Sequence, residues 1–140
     1  MTDPIWTSRT LPIARGHLLT ANDKFHWARR ASLTKQLRQW ACLLGREGEG
    51  VANLGLQHAR VVVEFAYPDN RRRDRHNLAP TVKAVMDGLI DAGLLPDDAD
   101  RFLDGPHTVI ADRLAEKRLG LPMYELRVLV YADTDKEQSK

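Results

Sequence analysis

A single cysteine, Cys42, is present, so no internal disulfide can form and the fold has to rest on its core. No apolar run approaches the roughly 20 residues needed to cross a bilayer, which excludes a membrane-spanning role. The first residues carry no apolar stretch of the signal-peptide kind, so a reducing, cytoplasmic setting is expected. Overall charge is almost balanced, with 21 Lys and Arg against 19 Asp and Glu, and net charge therefore points neither to nucleic acid nor to a membrane surface. Internal repeats and low-complexity tracts are missing as well. What is there, 140 residues of which 43% are hydrophobic, suits one domain around one core. That domain is expected over 1–131, followed by a polar, disordered tail over 132–140.

The distribution of charge says more than its sum. From Arg15 to Arg46 the basic residues are Arg15, Lys24, Arg29, Arg30, Lys35, Arg38 and Arg46, and the only acid is Asp23. Acids return mainly from Asp87 onward, so a basic N-terminal part precedes an acidic centre, as expected where a polyanion and a cation are held by different regions.

Patterning predicts short strands at Thr10 to Ile13 and His17 to Leu19, then a helix capped by Ser32 and running to about Gly45. Its apolar stripe is Leu33, Leu37, Trp40, Ala41 and Leu44, with Lys35, Arg38 and Gln39 outside. Cys42 lies beside that stripe and reads as a small core residue, not a nucleophile. Glu47 to Gly55 reads as a mobile connection. Alternation over Ala59 to Tyr67 predicts a strand, and Pro80 to Ala92, closed by Gly93, the best-defined helix. His107 to Ala111 and Met123 to Tyr131 read as further strands. The expected fold is α+β, a small mixed sheet flanked by two helices in the order β-α-β-α-β-β.

The chemistry concentrates around the second helix. Arg71, Arg72 and Arg73 precede Asp74, His76 and Asn77; Lys83 and Asp87 lie on the helix; Asp97 and Asp98 follow it. If the chain is extended at Asp74 and His76, their side chains project to one side. Should Asp98 return to meet them, two carboxylates and an imidazole would suit a hard divalent cation such as Mg²⁺ or Mn²⁺ that also takes phosphate oxygens. Such an ion polarises a phosphodiester and acidifies an attacking water, and Lys83 adds charge where the phosphate becomes more negative. Each residue also has an ordinary reading. Asp97, Asp98 and Asp100 form a solvated turn, Asp74 pairs with a neighbouring arginine, and Lys83 with Asp87 is an i,i+4 surface pair.

The joint arrangement Arg71-Arg72-Arg73-Asp74-Arg75-His76-Asn77-Leu78, then Lys83, then Asp87-Gly88-Leu89-Ile90-Asp91-Ala92-Gly93 and Pro96-Asp97-Asp98 resembles the RusA family of Holliday junction resolvases, in its phage and prophage branch. Thr20 to Trp27 is similar to the Asn-containing segment of phage members. The resemblance implies a homodimer that nicks branched, four-way DNA in recombination and repair. It implies Asp74 and Asp98 as catalytic metal ligands, with His76 and Asp97 beside them, Lys83 as the catalytic lysine and Asn77 as a supporting residue. His76 stands where the family has an aspartate, which removes one negative charge and shifts the preference from Mg²⁺ toward Mn²⁺. DNA phosphates are expected to meet Arg71, Arg72, Arg73, Arg75, Asn22, Lys24, Arg29 and Arg30, with binding that weakens steeply in salt. No small-molecule cofactor or membrane partner is expected. Phe25 and Trp27 read as core residues first and as base-stacking residues second. Two other readings stay open: a junction-binding protein without catalysis, and an α+β domain that does not touch DNA.

Overall fold

The computed structural model describes residues 3–24 and 26–132. Its elements are β1 (Trp6–Thr7), β2 (Leu11–Ile13), α1 (Trp27–Arg46), β3 (Ala59–Ala66), α2 (Ala79–Asp91), β4 (Leu103–Ile110) and β5 (Tyr124–Ala132), with short 3-10 turns at Arg15–His17, Val51–Leu54 and Arg75–Leu78. The α+β class and mixed sheet agree with the patterning. The sheet has five strands: β5 pairs antiparallel with β1, β2 and β3, while β4 runs parallel to β3 on the outer edge.

Alternation explains which face is buried. In β3, Val61, Val63 and Phe65 stand opposite Val130, Val128 and Leu126 of β5, and all six are buried. The other face carries Arg60 over the Tyr131 ring and a Glu64–Arg127 ion pair. Val82, Val85, Met86 and Leu89 of α2 and Ala41 and Leu44 of α1 join the buried face in one core. Each large apolar side chain buried there contributes about 1.5–3 kcal/mol.

The two helices approach closely because Gly88 of α2 has no side chain. A Cβ at Gly88 would stand 2.3 Å from the Arg38 carbonyl oxygen and 2.9 Å from the Cys42 nitrogen of α1. Arg38 then reaches across to Asp91 with Nε–Oδ2 2.5 Å and Nη2–Oδ1 2.8 Å. The far end of α2 closes on Gly93 at φ 95°. There the Leu94 N–H donates to the Leu89 carbonyl and the Gly93 N–H to the Ile90 carbonyl, the paired bonds of a Schellman cap. That turn buries Leu94 and Leu95 and sends the acidic segment back along the helix.

Several expectations are corrected. α1 begins at Trp27, with the His26 imidazole accepting from the Ala28 N–H as its cap. Ser32 therefore lies inside the helix, because the Trp27-Ala-Arg-Arg-Ala31 segment propagates a helix well. Trp27 is 75% exposed and not a core residue, while Cys42 is half-buried against the core. The segment at His17 is a 3-10 turn, not a strand. β1 is an added short strand. The connection after α1 contains the Val51–Leu54 turn with Val51 fully buried. Ala132 belongs to β5, not to a tail; Phe25 and residues 133–140 lie outside the described residues. Among those described, no helix is long and apolar enough to cross a membrane.

Candidate functional site

Local geometry at the Arg75–Leu78 turn decides where the acidic centre points. Asp74 is extended, and its Oδ1 accepts from the His76 N–H at 2.9 Å. This cap starts a 3-10 turn that runs into α2. Because the chain turns there, Asp74 and His76 do not project together, which corrects the extended geometry expected for them.

Two clefts flank the turn, each with a volume of about 420 Å³, and they share no lining residue. The first is lined by Asp74, Asn77, Arg72 and Arg73, by Arg15, Thr20, Asn22 and Asp23 of the N-terminal segment, and by Leu78, Tyr67 and Tyr124. The second takes His76, Arg75, Ala79, Val82 and Lys83 from the turn and α2, and Pro106, His107 and Thr108 from β4.

The first cleft is held together from α2. The Thr81 hydroxyl, fully buried, accepts from the Leu19 N–H at 2.9 Å and donates to the Leu19 carbonyl at 2.7 Å. One step on, the Ala21 N–H donates to the Asn77 carbonyl at 2.9 Å. These bonds press Thr20 to Asp23 against the turn. Within the cleft Arg15 meets Asp23 at 2.8 Å; although burial opposes it, that contact and bonds from Thr20 keep the Asp23 carboxyl below its usual range. Arg73 is engaged by Asp69 at 2.8 Å and lies over the Tyr67 and Tyr124 rings at 4.9 and 5.7 Å. It is thus packed and neutralised, whereas Arg72 is exposed. Arg71 also leans on Asp69, at 3.7 Å.

At the second cleft, the Lys83 ammonium donates to Asp87 Oδ1 at 2.9 Å and to Asp98 Oδ2 at 3.0 Å. The return of the chain to α2 thus takes place, bringing Asp98 onto Lys83. The Asp87 and Asp98 contacts hold the lysine pKa up, and Lys83 in turn holds the Asp98 carboxyl below the usual range. Side-chain exposures of 62% for Lys83 and 47% for Asp98 keep such contacts at about 0–1 kcal/mol, so the cluster exchanges partners readily. Asp97 acts on the backbone instead, its Oδ1 accepting from the Ala99 N–H at 2.7 Å and so shaping the loop. Lys24 and Arg29 are exposed near the start of α1, with Arg30 half-buried beside them.

The donor chemistry suits a hard cation, but the arrangement does not form a cage for one. Among the described residues no three His, Cys, Asp or Glu side chains converge. Asp87 and Asp98 close on an ammonium, and Asp74 on a backbone amide. Asp74, His76, Asp97 and Asp98, expected around one ion, therefore do not gather here.

His107 and Thr108 enter the second cleft, and Tyr67, Tyr124, Arg15 and Thr20 the first, although sequence reasoning does not place them there. His107 faces Asp104 with Nε2–Oδ1 2.7 Å. Its place follows from the parallel pairing of β4 with β3, a long-range contact no local pattern announces. Tyr67, at the end of β3 just before Pro68, is the more visible of these.

One consequence is measurable. Asp69, Asp91 and Asp98 are held below the ordinary aspartate value of 3.8 by Arg73, Arg38 and Lys83 respectively. Carboxylates depressed in the folded state take up protons less readily there than in the unfolded chain, so their stabilisation is complete above 3.8 and is lost as pH falls below it. The urea midpoint is expected to hold from neutral pH down to about pH 5 and to drop at about pH 3; a flat profile over that range would contradict these pairings.

No protein-family model matches the chain, and no curated protein sequence matches it.

Proposed function

We propose that the protein is a RusA-like endonuclease that nicks branched DNA, four-way junctions above all, and that it works as a homodimer. The observation that carries this reading is the contact of Lys83 on α2 with Asp98 from the loop beyond it, Nζ–Oδ2 3.0 Å. It brings the acid that follows α2 back onto the helix lysine, while Asp74 lies on the other side of the Arg75–Leu78 turn, in the first cleft. Arg72 and Arg75 sit in the clefts on either side, where they hold successive phosphates of a strand crossing the turn. Lys83 offers its charge where negative charge grows on the phosphoryl oxygens. A twofold dimer matches the approximate twofold symmetry of a four-way junction and delivers two matched nicks.

On this reading Asp74 and Asp98 would hold a Mg²⁺ or Mn²⁺ ion that polarises the phosphate, but they do not converge here, and Asp98 would have to part from Lys83 and Asp74 from the His76 amide to serve one. The Lys83 contact being weak, its exchange is energetically accessible.

The test is a junction assay in two parts. A gel shift with a four-way junction is expected to show binding that weakens steeply with salt, and a nicking assay across Mg²⁺ and Mn²⁺ is expected to show paired cuts. Binding without nicks would instead identify a non-catalytic junction binder; neither binding nor nicks would remove DNA from the account.

A further inference from the structure

We propose that the first cleft seats a single unpaired nucleobase beside Asp74. The polynucleotide partner comes from the nuclease reading above, but the evidence for the base is separate. The cleft presents hydrogen-bonding groups that the described residues leave unused. The Tyr67 hydroxyl is buried with no hydrogen-bond partner, and burial pushes its phenol pKa up, so at neutral pH it is a donor. An unpaired buried hydroxyl is destabilising, a penalty that a bound acceptor relieves. The side-chain amides of Asn22 and Asn77, which line the same cleft, make no hydrogen bond to another described residue. Each amide offers two donors and an acceptor, the set that pairs with the edge of a base.

Charge selects a base over a further phosphate. Arg15 is neutralised by Asp23 and Arg73 by Asp69, both at 2.8 Å, and Arg72 shares the cleft with the carboxylate of Asp74. The guanidinium and carboxylate charges therefore balance, and the ligand that fits is neutral, planar and rich in hydrogen-bonding atoms. Arg73 stacked over Tyr67 supplies a flat floor of the kind on which bases stack. At about 420 Å³ the cleft falls within the range of small-ligand sites. With one base held there, its phosphate falls to the exposed Arg72 at the rim, so the cleft sets which bond of an unstacked strand is presented.

Titration of the ¹⁵N-labelled protein with nucleoside 5′-monophosphates, beside ribose 5-phosphate and inorganic phosphate, tests this. Saturable shifts of the Asn22 and Asn77 side-chain amides are expected with nucleotides, at affinities about tenfold or more above ribose 5-phosphate. Tyr67→Phe, which keeps the ring, and Asn77→Ala should each weaken nucleotide binding by about three- to tenfold, the loss of one hydrogen bond. Equal affinity for ribose 5-phosphate would make the cleft a phosphate site and overturn the proposal, as would amide signals that do not move. Amide shifts in a protein that fails to nick junctions would sink the nuclease reading alone; nicking without shifts would sink the base cleft alone.

Discussion

Replacing Asp98 with Asn is expected to cut junction nicking by about 10²- to 10³-fold, the loss typical of removing one charged group at a reacting centre, while junction binding stays intact. The change keeps the shape of the side chain and an acceptor for Lys83 but removes the negative charge. Asp98 is exposed, so the fold is expected to tolerate the swap within about 0.5 kcal/mol. Rates in Mg²⁺ and Mn²⁺, with binding followed by gel shift, separate chemistry from recognition. Wild-type cutting by Asp98→Asn in both metals would remove Asp98 from the reaction. Equal loss of binding and nicking would make it a DNA contact.

Gly88→Ala is expected to destabilise the protein by about 2 kcal/mol. A methyl group there meets the Arg38 carbonyl oxygen at 2.3 Å, the Ala41 Cβ at 2.6 Å and the Cys42 nitrogen at 2.9 Å. Two of these are backbone atoms, so α1 and α2 must separate; overpacking of this kind costs about 1–3 kcal/mol and sometimes more. Against it stands the better helix propensity of alanine, about 1 kcal/mol. For a chain of this size the net change lowers Tm by about 5–10 °C, and calorimetry reads it directly. An unchanged or raised Tm would show that the helices do not approach as closely as described.

How much of the fold is legible in the sequence depends on the range of the interactions involved. α2 is legible because its signals are local: Pro80 in the first turn, Val82, Val85, Met86 and Leu89 at helical spacing, and Gly93 past the end. The strands of Val61 and Val128 are legible because one face of the sheet is apolar and the other is not. The start of α1 is misplaced by sequence since Ser32 is a good cap in isolation, while the residue that caps the helix is His26, through its ring nitrogen. The candidate site is legible as a set of residues and not as a geometry. Asp98 on Lys83 follows from a return of the chain, but the 3-10 turn that parts Asp74 from His76 depends on one side-chain bond to a backbone amide. The division of these residues between two clefts depends in turn on β4 and on Thr81 gripping Leu19, contacts between segments distant in the chain.

The cap at Gly93 links folding to chemistry in a way that bears on tolerated change. Gly93 stands ten positions after Lys83, and Asp98 five positions after Gly93; the paired bonds of that cap fix the length of the return path. An inserted residue between Leu95 and Asp98 would leave α2, its packing and Lys83 in place, yet carry the carboxylate past the ammonium it meets. Such a protein would melt like the parent and still misplace one acid, so spacing in this loop is a constraint separate from stability.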